Sequence, residues 1–419
     1  MLRLAKIGSG GEAYYLGVAA GSGTGVEPAG RWVGAGAAGM GLGGDVRAEA
    51  LELVLAGRSP ETHDSLGRAD GRIRVSAFDL TFAAPKSVSI LHALATPDVA
   101  AEVAAGHRAA VEASIDYVER RAAAVRRPAN AFRLPVPVDG LVASAFEHRT
   151  SRALDPHLHT HVVVANLASG QGRWSALDGR GLYTHRATAD ACYHAQLRFE
   201  LTKRLGVDWS PGRNGRADLV GIGPEVRAQF SRRSAAIAAR LDVMASRGFA
   251  ATELAARTTR PPKDPTVSPE ALRPDWADRA RQVGLGPGRL EAVMGRLPGH
   301  RAGLVVDDVG AEVRRALVTA GHPFSRRDVV RLWGSALPRG GPVRTFEAEA
   351  DNLLGAMAPG YEGREAPGVA EGRYFPAARD RDLARRLDQV VDRQVVLARD
   401  EAGTSRWLQR SVGYDLGLG

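Results

Sequence analysis

The order of patterned segments predicts an α+β fold: a two-layer arrangement of antiparallel sheet and helices, followed by a mainly helical C-terminal region. Three observations carry this. Ile73–Phe82 (IRVSAFDLTF) alternates at period two, with Phe78, Leu80 and Phe82 on one face and Asp79 and Thr81 on the other. Leu141–His148 (LVASAFEH) and the run from His157 to Asn166 read as two strands, joined by the polar loop RTSRALDP with its Asp-Pro turn signal. The order strand, long helices, hairpin, helices is that of an α+β layer rather than a parallel α/β sheet.

Taken in order, Leu2, Leu4 and Ile7 mark a short opening strand, followed by a Gly-rich turn and a helix carrying Tyr14 and Tyr15. Residues 21–46 are unusually rich in glycine and read as irregular; they contain no GxxxxGK[ST], which excludes a phosphate-binding P-loop there. Residues 45–58 read as a short helix with Val46, Leu51, Val54 and Leu55 apolar. Ala84-Pro85-Lys86-Ser87 opens a helix to about Leu94, with Pro85 where its missing N–H costs little. A long Ala-rich helix is expected from Val99 to Arg127, ending in Arg120, Arg121, Arg126 and Arg127. After the two strands, the stretch 169–183 reads as a loop. A helix from Ala187 to Leu205 follows, with Tyr193, Leu197, Leu201 and Leu205 at helical spacing. Residues 207–222 read as a last hairpin. Helical segments come next, interrupted by the proline-rich linker 257–274. Residues 305–358 hold two or three further helices, and 359–419 show little periodicity apart from Asp380–Ala398.

With 419 residues, 44% hydrophobic and 25% charged, the chain has material for an ordinary globular core and two or three domains. A net charge of +9 points to a polyanionic partner, nucleic acid first. The charge is almost all arginine: Lys6, Lys86, Lys203 and Lys263 are the only lysines. Arginine suits bidentate phosphate contacts, although a GC-rich genome gives the same bias. The lone Cys192 excludes an intramolecular disulfide framework and a cysteine zinc knuckle. With no signal-peptide pattern and no long apolar run, a cytoplasmic location without membrane insertion is expected.

The chemistry concentrates in EHRTSRALDPHLHTHVVVAN, residues 147–166. Side chains two apart on a strand share a face, so His159 and His161 project together. An antiparallel hairpin brings His148 beside them, and three imidazoles on one sheet face make a metal site with positions left open. The competing reading is a surface polyhistidine tract, but such a tract is not followed by VVVAN. Asp79, on the polar face of its strand, suits an acid that orients an imidazole or takes a proton, as well as one that pairs with a surface arginine. Tyr14-Tyr15 suits packing with a hydroxyl partner, or a covalent nucleophile toward a metal-polarised phosphate. Trp32, Trp174 and Trp209 are candidates for stacking on bases.

Tyr14-Tyr15, FDLTFAAPKSVS at 78–89 and His148-x10-His159-x-His161 running into VVVAN together resemble the relaxase domain of MobF-class (TrwC/TraI-type) conjugative relaxases, within the HUH endonuclease group. The resemblance covers roughly residues 1–290 and extends to ALDGRGLY and RLGVDW. It implies an HUH relaxase-like fold with a helical lid over single-stranded DNA. It also implies Tyr14 as nucleophile at an origin of transfer, leaving a 5′-phosphotyrosyl link and a free 3′-hydroxyl. His148, His159 and His161 match the metal triad, holding a divalent ion (Mg²⁺ or Mn²⁺), and Asp79 matches the acid that assists the histidines and the tyrosine proton. Lys86, Arg149, Arg173 and Arg180 are the basic residues expected on DNA. The expected partners are origin-of-transfer DNA, a type IV secretion coupling protein, and a helicase with accessory transfer proteins acting in trans.

The chain departs from the family pattern in three respects. Residues 16–60 hold no second tyrosine pair, so Tyr15 is the one available second tyrosine near the first. His157 stands where a non-ligand residue is expected. No Walker A sequence follows, which predicts a chain that nicks without unwinding, either a truncated product or one served by a separate helicase. The domains expected are a catalytic unit over 1–290, a helical extension over 291–360 and a partly irregular tail over 361–419. Two alternatives remain: a rolling-circle replication initiator of the same chemistry, and an inactive remnant that binds DNA.

Overall fold

The computed structural model describes residues 2–357, apart from residues 9, 22–26, 68–74, 130–131, 211, 213–214, 246–247, 262–266, 296–305 and 321–322. Its central sheet runs β1 (Leu2–Ile7), β3 (Ala77–Ala83), β7 (Pro156–Ala165), β6 (Ala143–Thr150) and β2 (Arg31–Val33), every neighbour antiparallel. The period-two pattern sorts the side chains by face. Phe78, Leu80, Phe82, Val162, Val164 and Ala145 form a large core with the helices α4 (Lys86–Leu94), α5 (Pro97–Arg121) and α6 (Gly179–Leu205). Ala77, Phe146, Val163 and Ala165 form a smaller core on the opposite face, against α1 (Ala13–Ala19) and α3 (Ala48–Leu55). Along that second face the apolar side chains give way to Asp79, Thr81, His161, His159 and His148, so the polar site is built at the margin of a packed layer.

The predicted fold class holds, and the strands of the histidine hairpin lie where the sequence puts them. Ile73, the expected start of β3, lies outside the described residues. Several boundaries differ for physical reasons. The long helix ends at Arg121, and Arg126 and Arg127 belong instead to β4 (Ala124–Ala129), which pairs with β5 (Phe132–Pro137). Pro128 removes a helical donor and pushes the residue before it toward extended backbone. The Arg127 guanidinium is then buried on Gly170 O at 2.8 Å, Arg173 O at 2.6 Å and Ser175 Oγ at 2.8 Å.

The glycine-rich stretch is not wholly irregular, since it holds β2 and the short α2 (Ala35–Gly39). A Cβ on Gly36 would lie 2.7 Å from the Gly140 carbonyl oxygen, so glycine there serves close backbone approach. Likewise the expected loop at 169–183 contains β8 (Ala168–Gly170), β9 (Arg173–Ser175) and the first turn of α6, capped by Asp178. The segment 207–222 forms the expected hairpin, β10 (Trp209–Ser210) with β11 (Asp218–Leu219), followed by α7 (Pro224–Gln229), α8 (Arg232–Met244) and α9 (Phe249–Thr258). The proline-rich linker ends in α10 (Pro269–Gln282), which keeps Pro274 inside it; Pro269 occupies the first turn and Ser268 Oγ accepts from Ala271 N at 3.1 Å.

After the short α11 (Pro287–Glu291), three helices follow as expected, α12 (Val306–Ala320), α13 (Arg326–Ala336) and α14 (Val343–Met357). Their Val313, Val330, Trp333, Phe346 and Leu354 continue the large core. Glu347 of α14, 3% exposed, receives Arg120 of α5 at 2.5 Å and Arg326 of α13 at 3.3 Å, while Arg326 also reaches Asp351 at 2.7 Å. The expected tail 361–419 lies outside the described residues. Among the described residues no helix is long and apolar enough to cross a membrane.

Candidate active site

Two adjacent central strands supply the histidines. In the β6–β7 ladder His148 lies directly opposite His159, and His161 faces Phe146 two positions further along. The pleat therefore puts all three imidazoles on one face, with ring centroids 5.2 Å apart for each pair. One nitrogen from each falls within 4.8 Å of the others.

Neighbouring groups orient these rings. His161 Nδ1 lies 3.0 and 2.9 Å from the two Asp79 oxygens, which leaves Nε2 to offer its lone pair. His159 Nδ1 donates to the His157 carbonyl at 2.8 Å, freeing its Nε2 in the same way. This donor set fits a divalent cation: three imidazoles that converge, two of them aimed through their other nitrogen, with coordination positions left over.

The tyrosines arrive from α1, which follows the edge strand β1 and lies over the second face. They differ sharply. Tyr14 is 39% exposed and its Oη lies 3.2 Å from His148 Nε2. Tyr15 is 6% exposed and packs on Phe146; its Oη donates to Asp79 Oδ2 at 2.9 Å and lies 3.2 Å from His161 Nδ1. Burial, and then the Asp79 carboxylate beside it, hold the Tyr15 phenol far above its ordinary range, so it keeps its proton.

The structure thus brings together Tyr14, Tyr15, Asp79, His148, His159 and His161. It adds Thr81, which the alternation placed on the polar face but to which no role was attached. Thr81 Oγ1 donates to Asp79 Oδ1 at 3.2 Å and lies 3.2 Å from His161 Nδ1. His157 is not among the converging nitrogens. Its ring stacks on His159 at 4.5 Å, and burial holds its imidazole neutral, well below the ordinary value.

The four basic residues singled out for DNA are placed variously. Lys86 Nζ donates to the Pro156 carbonyl at 2.7 Å, and burial lowers it to about 8. Arg149 pairs with Glu27 at 3.2 Å and Glu270 at 2.7 Å. Arg173 lies exposed on β9, and Arg180, on the first turn of α6, pairs with Asp178 at 2.9 Å. Trp209 is buried, with Nε1 on Thr202 Oγ1 at 3.0 Å, so it is a core residue rather than a platform for bases. Trp32 and Trp174 pack against the smaller core.

Several known proteins are similar to this chain. The family model for the TrwC relaxase matches residues 6–283. The multifunctional conjugation protein TraI of Escherichia coli is 32% identical over 265 residues, covering 61% of this chain, and that of Escherichia coli strain K12 is 31% identical over the same length. The chain spans 14% of the length of these relatives. Among solved structures, the conjugative relaxase TrwC in complex with OriT DNA aligns in metal-free and metal-bound forms. Each gives a TM-score of 0.60 and 30% identity, covering 68% of this chain and 99% of that one. A copper-bound form of the complex gives the same values. A matched segment that takes in the tyrosine pair, Asp79 and all three histidines leaves one conclusion: the chain belongs to the TrwC relaxase family and carries a DNA relaxase domain.

Proposed function

We propose that this chain is a metal-dependent nickase and strand transferase acting on single-stranded DNA at an origin of transfer, with Tyr14 as its nucleophile. The observation that carries the assignment is the contrast between the two tyrosines. Tyr14 presents an accessible hydroxyl beside the converging imidazoles, whereas Tyr15 is buried with its proton held on Asp79.

In this reading Tyr14 Oη attacks a phosphodiester phosphorus. A bond forms between phosphorus and the tyrosyl oxygen, the bond to the 3′ oxygen breaks, and the products are a 5′-phosphotyrosyl strand end and a 3′-hydroxyl. The phenolic proton leaves Tyr14 Oη and one is taken up at the 3′ oxygen, so the transfer neither consumes nor releases a proton overall. One phosphate ester replaces another, and the 3′-hydroxyl can reverse the step. His148, His159 and His161 would hold a divalent cation, Mg²⁺ or Mn²⁺. When bound it stabilises the charge that builds on the non-bridging oxygens. Asp79 keeps His161 in the tautomer that points Nε2 at the ion, and Tyr15 and Thr81 keep Asp79 in place. A helicase, accessory transfer proteins and a secretion coupling protein are its proposed partners.

The test is covalent adduct formation. Wild type, Tyr14→Phe and Tyr15→Phe are incubated with single-stranded origin-region DNA and Mn²⁺ and resolved on a denaturing gel. A shifted band from wild type and Tyr15→Phe, absent with EDTA and absent from Tyr14→Phe, is the expected result. An adduct that survives in Tyr14→Phe and vanishes in Tyr15→Phe overturns the assignment of the nucleophile. No adduct from any protein, with DNA binding intact across several origins, favours a binding module without catalysis.

A further inference from the structure

Asp155 lies in the loop between the two histidine strands and is 1% exposed. A carboxylate buried so deeply must be met by donors. Three converge on it: Arg232 N and Arg232 Nε, each at 2.9 Å from the start of α8, and Arg279 Nη2 at 2.9 Å from α10. The same segments hold the carbonyls around it. Arg232 Nη2 donates to Ala153 O at 2.8 Å, Trp276 Nε1 to Leu154 O at 2.9 Å, and Arg279 Nη2 to Gln229 O at 2.5 Å. Arg279 also lies 4.6 Å over the Phe230 ring. Leu154, with φ of 56°, is in the left-handed region that a branched side chain enters only when its surroundings hold it.

The attachment extends outward. Arg233, next along α8, donates to Thr259 O at 2.6 Å and Thr259 Oγ1 at 2.8 Å, tying the end of α9 to α8. The other end of the Asp155 loop carries Arg152. Burial and the neighbouring Arg260 guanidinium lower it, Tyr14 opposes this, and Arg233 adds to the lowering. Arg152 Nη1 also lies 3.5 Å from the Pro261 carbonyl oxygen, next to Arg260 in the chain, and two guanidiniums gathered there form a setting that a phosphate backbone would relieve.

We propose that Asp155 is a positioning residue: it docks α8–α10 on the histidine hairpin so that Arg152 and Arg260 meet the phosphates of the entering single strand. This rests on the nickase reading above, since it takes single-stranded DNA as the substrate. The loop that closes the ligand hairpin would thus also fix the mouth through which the strand reaches it.

The test compares the full chain with Asp155→Asn and Arg279→Met in binding a fluorescent oligothymidylate of about 30 nucleotides, across about 50 to 200 mM salt. The affinity of each variant is expected to fall about tenfold. The slope of log K against log salt should flatten by about 1.4, the value for two lost phosphate contacts on a single strand. Mn²⁺ affinity by calorimetry should stay at the wild-type value, and in adduct assays KM should rise while kcat holds. Should Asp155→Asn not fold, Arg279→Met decides on the same readouts. Unchanged DNA affinity and slope overturn the proposal while leaving the nickase reading standing. Loss of Mn²⁺ affinity along with DNA affinity also overturns it, because the loop then supports the whole hairpin. Failure of the wild type to bind the oligonucleotide overturns the nickase reading itself.

Discussion

Replacing Asp79 by asparagine tests how the site is organised, because one carboxylate gathers three donors: His161 Nδ1–H, Tyr15 O–H and Thr81 O–H. Its side chain is only 14% exposed, so these contacts are little diluted by water. Asparagine keeps one acceptor oxygen but turns an NH2 toward groups that are themselves donors. At least one charge-assisted hydrogen bond is lost, at about 1.5–3 kcal/mol. Loss of the partner behind a metal-ligating histidine ordinarily lowers affinity by about 10–100-fold. That range corresponds to about 1.4–2.7 kcal/mol. The two estimates overlap, and Mn²⁺ affinity measured by titration calorimetry should fall about 30-fold. Thr81→Val, which removes one neutral donor, should cost about 0.5–1.5 kcal/mol, a smaller loss. If Asp79→Asn binds Mn²⁺ as tightly as the wild type, or if Thr81→Val does more damage than Asp79→Asn, Asp79 does not orient His161 and the account of the site fails.

Three further outcomes are expected. Glu347→Ala leaves Arg326, 1% exposed, with half its partners, and should lower unfolding free energy in urea by about 3–5 kcal/mol; a loss below about 1 kcal/mol would mean the clasp between α5, α13 and α14 is ornamental. Burial lowers His92, His185 and His194 to about 4, so each is neutral when folded and gains a proton on unfolding between about pH 6.5 and 4. Stability should therefore fall with pH through that window, by up to about 1.4 kcal/mol per pH unit for each, and a flat urea midpoint from pH 7 to 4.5 would contradict it. A fragment ending at residue 290 strips α12–α14 from the large core and uncovers the face of α6 at Thr188, Ala191 and Arg198 on which α13 packs. It should aggregate or lose near-ultraviolet circular dichroism, and a soluble, cooperatively melting fragment would show that 1–290 folds as an independent unit.

The site was legible in the sequence to the extent that it obeys period two. His148, His159, His161 and Asp79 declared themselves because strand alternation fixes the face of each, and one hairpin joins three of them. The orientation of those side chains was not legible, because it depends on groups distant in sequence. Nothing local says that Tyr15 will lie on Asp79, that Lys86 will turn to the Pro156 carbonyl, or that Asp155 will be met by Arg232 and Arg279. The boundary errors have a common origin as well. Glycines at 179 and 181 read as loop, yet they open α6. A Cβ on Gly179 would press on the Phe78 ring and one on Gly181 on the Ala122 carbonyl, so these residues answer to packing rather than to turning. Conversely, the alanine-rich run beyond Arg121 read as helix until Pro128 and the carbonyls around Arg127 are taken into account.

The strand order β1-β3-β7-β6-β2 has a consequence for how the protein is made. All three histidines sit on one hairpin closed by a short loop, so their juxtaposition costs little chain entropy and depends on local pairing. Tyr14 stands 134 residues from His148 and reaches it only after the edge strand β1 has found β3. During refolding, metal affinity should consequently return before the capacity to form a DNA adduct. A chain caught between those two stages would hold its ion while still unable to cut.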